Sequence, residues 1–270
     1  MDLRLMRHLW GVSESWEQAF PRFKAAGYHG IDALPPEPQD IARFRQLLKD
    51  YRFDYILQVL TTGATVEEHV ASFRQQVEAG QVLEPLLIGC HSGRDAWSER
   101  ESAEFFVQAL AIEREIGIPV GHETHRGRIL YNPWVTVLML DRFPDLKLVG
   151  DFSHWTCVAE RLLGDQADII ARCAERCLHI HARVGYEEGP QVPDPRAPEY
   201  RYCLEAFERW WDLVWDAQAA RGLAVTTLTP EYGPPGYLHT LPYTRQPVAD
   251  AGEISDWQAQ REAARFAMRE

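Results

Sequence analysis

A single closed (β/α)8 barrel, an α/β fold with an all-parallel sheet, is what the sequence predicts, and three observations predict it. Short β-like runs alternate with amphipathic helical stretches, and they do so eight times. Strict β-then-α alternation implies parallel strands joined by right-handed crossovers. Eight such units in about 250 residues is the size of a closed barrel. An open doubly wound sheet is the alternative, but no G-x-G-x-x-G follows the first strand, which weakens a dinucleotide-binding version. No linker or larger repeat divides the chain, so residues 1–270 are read as one domain.

The elements follow in order. The strands are RLMRHL (4–9), GYHGIDAL (27–34), FDYILQVL (53–60), PLLIGCH (85–91), IPVGHE (118–123), LKLVGD (146–151), CLHIHARV (177–184) and LAVTTLTPE (223–231). Helical spacing of apolar residues marks the segments between them: 15–26, 40–51, 66–80, 100–117, 133–143, 166–177 and 200–222, with 255–270 closing the chain. Phe105, Phe106, Ala109, Leu110, Ile112 and Ile116 form one such stripe. Ser13 or Ser15, Asp40, Thr65 and Ser98 stand where helix caps are wanted, and EREIGIP carries a terminating glycine and proline. Proline-rich connections follow the seventh and eighth strands and emerge at the C-terminal mouth, where loops build active sites in this fold. The Trp-rich ERWWDLVW of the last crossover helix reads as outer-layer core or an oligomer contact.

Composition narrows the function. The net charge of −12 argues against a nucleic-acid partner, because phosphate binding wants a basic surface. No apolar run approaches the ~20 residues of a membrane span. The five cysteines are odd in number and lack a C-x-x-C pair, and MDLRLMRHLWG has no apolar secretion core. Reduced thiols and a cytoplasmic location are therefore expected.

Polar residues at strand ends carry the chemistry. The stretch GDFSHW sets Asp151 directly after the apolar LKLV, where an unpaired buried carboxylate costs several kcal/mol. The fifth strand ends in Glu123, flanked by His122 and His125; the eighth ends in Glu231. In HIHARV, alternation puts His179, His181 and Arg183 on one face. Singly, each has an ordinary explanation: a solvated glutamate, a hydrogen-bonded core histidine, a capping aspartate. Together, four consecutive strands offer acid, acid, histidine and acid at one mouth. Three carboxylates that close repel and raise one another's pKa, and a divalent cation among them removes the difficulty. Mixed carboxylate and imidazole donors point to one Mn2+, Co2+ or Mg2+, with Zn2+ also admissible.

On these residues, Glu then D-x-x-H then H-x-H then Glu, the chain resembles the xylose isomerase-like TIM barrels, a group of sugar isomerases, ketose 3-epimerases and AP endonuclease family 2 relatives. The resemblance spans the chain in element order, and it implies Glu123, Asp151, His181 and Glu231 as metal ligands and His154 as a substrate contact. It also implies dimers or tetramers. The pattern departs where many relatives continue H-x-H with Lys-Asp, since here Ala182 and Arg183 follow. The implied activity is a metal-dependent isomerase or epimerase on a sugar or related polyol ketone. It would work through a metal-stabilised enediolate, with Glu123 and Glu231 exchanging protons at carbon. His154, His179 and Arg183 are expected to bind substrate oxygens, and Trp155, with Trp10, Trp97, Tyr186, Tyr232 and Tyr237, to stack on the sugar. A metal-dependent lyase or dehydratase on a keto-sugar or keto-glycoside uses the same enolate. A non-catalytic sugar-binding barrel is disfavoured by two intact glutamates, and an endonuclease IV-like phosphodiesterase by the acidic charge.

Overall fold

The computed structural model describes residues 1–269. Strands β1 (Asp2–His8), β2 (Gly30–Ala33), β3 (Asp54–Leu60), β4 (Leu87–His91), β5 (Val120–Glu123), β6 (Leu148–Gly150), β7 (Cys177–His181) and β8 (Val225–Thr229) pair in chain order and close β8 onto β1. Every pairing is parallel. The eight predicted strands are thus all present; β1 starts two residues earlier than predicted, and the others are shorter than predicted.

Helices α1 (Trp16–Ala25), α2 (Ile41–Asp50), α3 (Val66–Gly80), α4 (Glu99–Ile116), α5 (Pro133–Arg142), α6 (Ser153–Ala159), α7 (Ala167–Ala174), α8 (Arg201–Ala220) and α9 (Ala251–Ala267) surround them. Local chemistry sets their ends. Ser98 and Glu101 form a capping box at the start of α4, and Gly117, at φ +67°, ends it in the left-handed region. Thr65 Oγ1 accepts from Glu68 N–H to cap α3. The short helix α6 lies between β6 and α7, outside the helical segments expected from apolar spacing. Asp151 Oδ1 accepts from the N–H of Ser153 at 3.0 Å and from its hydroxyl at 2.5 Å, which turns the chain straight from the strand into a helical segment.

The apolar core lies between strands and helices, where Trp211 and Trp215 of α8 are fully buried; the Trp-rich run belongs to this layer. Inside the barrel a small separate cluster, Met6, Ile56 and Leu87, plugs the lower part. Above it, at the C-terminal ends of the strands, the inward positions become polar. Registers His8↔Asp32, Glu123↔Val149, Gly150↔Ile180 and His181↔Thr229 bring those ends to one level. Gly121 sharpens this: a Cβ there would sit 2.9 Å from the Leu148 backbone, so any side chain would push β5 away from β6 and part Glu123 from Asp151. Among the described residues no helix is long and apolar enough to cross a membrane, and no cysteines are paired.

Glu262 of α9 is a buried carboxylate outside the barrel mouth. Burial, assisted by Glu208 and opposed by Arg265, raises its pKa to about 7. The native state therefore holds its proton more tightly than the unfolded chain does. Stability from this group is undiminished near the unfolded carboxylate pKa and falls as pH rises toward 7. Glu262→Gln keeps an acceptor for the Gln258 amide (2.7 Å) without the charge. Its melting temperature should exceed wild type by a few degrees at pH 8.5 and match it near pH 4, as thermal denaturation across pH would read.

Candidate metal centre and active site

Glu123, Asp151, His181 and Glu231 each offer a ligand atom, and these atoms lie within 4.8 Å of one another. They come from the C-terminal ends of β5, β6, β7 and β8, and all four are buried.

His181 has its orientation set from below. Its Nε2 lies 3.1 Å from Asp32 Oδ2, so the neutral ring carries its proton on Nε2 and presents the Nδ1 lone pair to the mouth. Nδ1 stands 3.2 Å from Glu231 Oε2 and 3.5 Å from Glu123 Oε2, without hydrogen-bond geometry to either. Glu123 Oε1 and Glu231 Oε2 are likewise buried with no hydrogen-bond partner. Orphaned acceptors that face one another need a shared positive centre. Burial would lower the His181 pKa, but Glu231, Glu123 and Asp32 more than offset this and hold it well above the ordinary value. The same place that favours a proton on Nδ1 favours a cation, and three carboxylate oxygens with one imidazole suit a divalent ion with open positions.

Asp151 is more committed. Beside the Ser153 bonds of Oδ1, its Oδ2 pairs with the Arg183 guanidinium. Burial, partly countered by Arg183, still lifts its pKa to about 6. Arg183 also donates to Ser153 Oγ at 3.1 Å and to His154 Nε2 at 2.8 Å, and approaches Glu231 Oε2 at 3.4 Å. Its charge is spent on the site's own acids.

A cavity of about 430 Å3 opens over these groups, and Glu123, Glu231, Arg183, His91, Trp10 and Tyr237 are among its walls. The remaining predicted contacts are placed elsewhere. His154 is fully buried behind Arg183, its ring centroid 3.9 Å from that of His125; burial and His125 hold its pKa well below the usual value. His179 lies one inward step below His181, with Nδ1 2.7 Å from Thr227 Oγ1 and Nε2 2.9 Å from Thr229 Oγ1. Trp155 sits in the core on α6, against Phe152, its indole N–H donating to Leu130 O at 2.9 Å. None of the three lines the cavity. His122 faces outward, between Ser92 Oγ and Glu113 Oε1.

Sequence reasoning passed over Asp32, His91 and Arg128. Asp32 stands near the end of GYHGIDAL, followed only by Ala33 and Leu34, much as Asp151 ends LKLVGD, so the argument applied to one was available for the other. His91, the last residue of β4, places Nε2 2.6 Å from Glu123 Oε2. Arg128 lies on the loop after β5, where no periodicity marks it.

The model of the xylose isomerase-like TIM barrel family matches residues 20–198. The chain belongs to that family. No protein of curated function matches it by sequence. Among solved structures of the same fold, a probable 3-DHS dehydratase, AsbF, from Bacillus anthracis aligns over 95% of this chain and 97% of its own, at TM-score 0.61 and 14% identity. The 3-keto-D-glucoside 4-epimerase YcjR from E. coli aligns over 96% and 98%, at TM-score 0.63 and 9% identity. A xylose isomerase-like TIM barrel protein from Mycobacterium smegmatis, in complex with magnesium, aligns over 79% and 97%, at TM-score 0.52 and 11% identity. Likeness at these identities concerns the xylose isomerase-like barrel itself and not its chemistry.

Proposed function

We propose that this chain is a divalent-metal-dependent enzyme that moves a proton at carbon next to the carbonyl of a polyhydroxylated ketone, as a sugar isomerase or epimerase does. The observation that carries the reading is the convergence of buried ligand atoms from Glu123, Asp151, His181 and Glu231 within 4.8 Å of one another under an open cavity, with His181 Nδ1 and Glu231 Oε2 3.2 Å apart and neither hydrogen-bonded among the described residues. Glu123, Asp151, His181 and Glu231 would hold the cation. When bound, it supplies Lewis-acid polarisation of the substrate carbonyl and adjacent hydroxyl.

The chain's own residues do the rest. Glu231 and Glu123 come from different strands and both line the cavity, so one can take a proton from carbon and the other can return it. Their pKa values are held below the usual carboxylate value, Glu123 by His91 and His181 and Glu231 by His181 and Arg183, all acting against burial. Both therefore rest ionised, so one accepts the proton from carbon and the other first takes a proton from solvent and then returns it to carbon. Arg183 pairs with Asp151 and approaches Glu231, which keeps both acids in place at the cavity wall. Trp10 and Tyr237, edge to face at 4.8 Å, wall off solvent on one side.

A second reading, elimination of a β-hydroxyl from the same enolate, is favoured by His91. Its position on Glu123 supplies a second proton carrier on that side, one that can deliver a proton to a departing hydroxyl. Exchange with D2O tests both readings. Incubated with candidate keto-sugars and Mn2+, the protein should wash deuterium into a substrate C–H; epimerisation returns the same mass plus deuterium, and elimination loses water. No exchange with any ketone in the presence of bound metal would contradict the proposal.

A further inference from the structure

Among the described residues, Arg128 is a cavity cation with no carboxylate counterion within ion-pair distance. It lies on the β5–α5 loop and lines the cavity beside Gln58 and His91. One nitrogen, Nη1, donates to Thr61 O at 2.8 Å and to Gly93 O at 3.3 Å, tethering the guanidinium to the loops that follow β3 and β4. Among the described residues, no carboxylate stands within 4.0 Å of it, whereas Arg183 in the same cavity meets Asp151 and Glu231. The order of strands around the barrel sets β3 and β4 across the mouth from β7 and β8. Arg128 therefore faces the acidic side from the far wall.

Charge counting then says what belongs between them. At the mouth, with a divalent cation held by Glu123, Asp151 and Glu231, the dication and Arg183 together balance those three carboxylates. Arg128, half-buried and unpaired, is then left over as one positive charge. A neutral sugar would leave it so, at the cost of an unpaired ion in a restricted cavity. A single carboxylate matches it in charge and in the planar fork of its free N–H groups. We infer that the substrate is a polyhydroxylated keto acid whose carboxylate is bound by Arg128, making Arg128 the residue that selects acids over neutral sugars. This rests on the metal-site reading above and narrows its substrate class.

The test is binding by calorimetry to the manganese-loaded protein, using D-glucuronate, D-galacturonate and quinate against D-glucose, D-galactose and myo-inositol. Each acid should bind about tenfold or more tightly than its neutral counterpart, a charge-assisted pair being at stake. Arg128→Gln should bring the members of each pair within about twofold, leaving manganese content and neutral-sugar affinity unchanged. Arg128→Lys should restore part of the preference and serves if the Gln variant folds poorly. Equal affinity within the pairs, no binding of any acid, or a preference that survives in Arg128→Gln would each overturn the inference. Failure to load manganese would remove the charge count and overturn it together with the metal site. A preference that disappears in Arg128→Gln while no ketone exchanges deuterium would support this inference and contradict the proton-transfer reading alone.

Discussion

Glu231→Gln should lower deuterium exchange and turnover by about 10²–10⁴-fold, the range expected when a positioned acid–base group is removed, while the melting temperature stays within a few degrees of wild type. The substitution keeps the side chain's shape at a position only 6% exposed, so packing has little reason to change. It removes a negative charge that both His181 and Arg183 face. The amide neither accepts a proton from carbon nor offers an anionic oxygen to a cation. Metal content distinguishes the two losses: a variant that retains manganese but not exchange has lost its base, and one that loses both has lost a ligand. Exchange within a few fold of wild type would remove Glu231 from the reaction.

Asp32→Ala should weaken Mn2+ affinity by about 10–100-fold, as is usual when the partner of a metal-binding histidine is removed, although Asp32 itself touches no proposed ligand site on the cavity side. Three groups converge on its Oδ2: His181 Nε2 at 3.1 Å, His179 Nε2 at 3.3 Å and the Thr229 hydroxyl at 2.7 Å. Burial works against its ionisation, but the two histidines more than offset this and hold its pKa far below the ordinary value. Without it the His181 ring loses both its tautomer and its orientation. Asp32→Asn should behave nearly as badly, because even with its amide oxygen in the place of Oδ2 it removes the negative charge that holds the proton on His181 Nε2. Thr227→Val, which disturbs only His179 Nδ1, should leave metal affinity within about threefold. Competition against a chelator measures all three, and equal affinities across the set would show that Asp32 does not orient the ligand.

These two predictions mark where the sequence was readable and where it was not. The strands and their order could be read because parallel barrel strands are short apolar runs set between amphipathic helices, and closure in chain order follows from the count. The four convergent residues could be read because each ends a strand, and the barrel brings strand ends together. Alternation along HIHARV says which residues share a face but nothing about depth. His179 and His181 therefore looked equivalent, although one sits a layer lower among threonine hydroxyls. Trp155 was legible as an aromatic near a strand end, yet the Asp151–Ser153 turn starts α6 and rotates the indole into the core. A helix of seven residues with no apolar stripe leaves no periodic trace. Arg128 depends on a loop conformation held by two distant backbone carbonyls, and no local pattern encodes such a contact.

The direct test of the account is elemental analysis of the purified protein beside a Glu123→Ala/Asp151→Ala double variant, with circular dichroism to show that both are folded. Wild type should hold about one equivalent of a divalent metal after Mn2+ loading, as a single four-residue site requires, and the variant almost none. Wild-type protein that takes up no metal, or a folded variant that binds it equally well, would contradict the convergent site and the chemistry built on it.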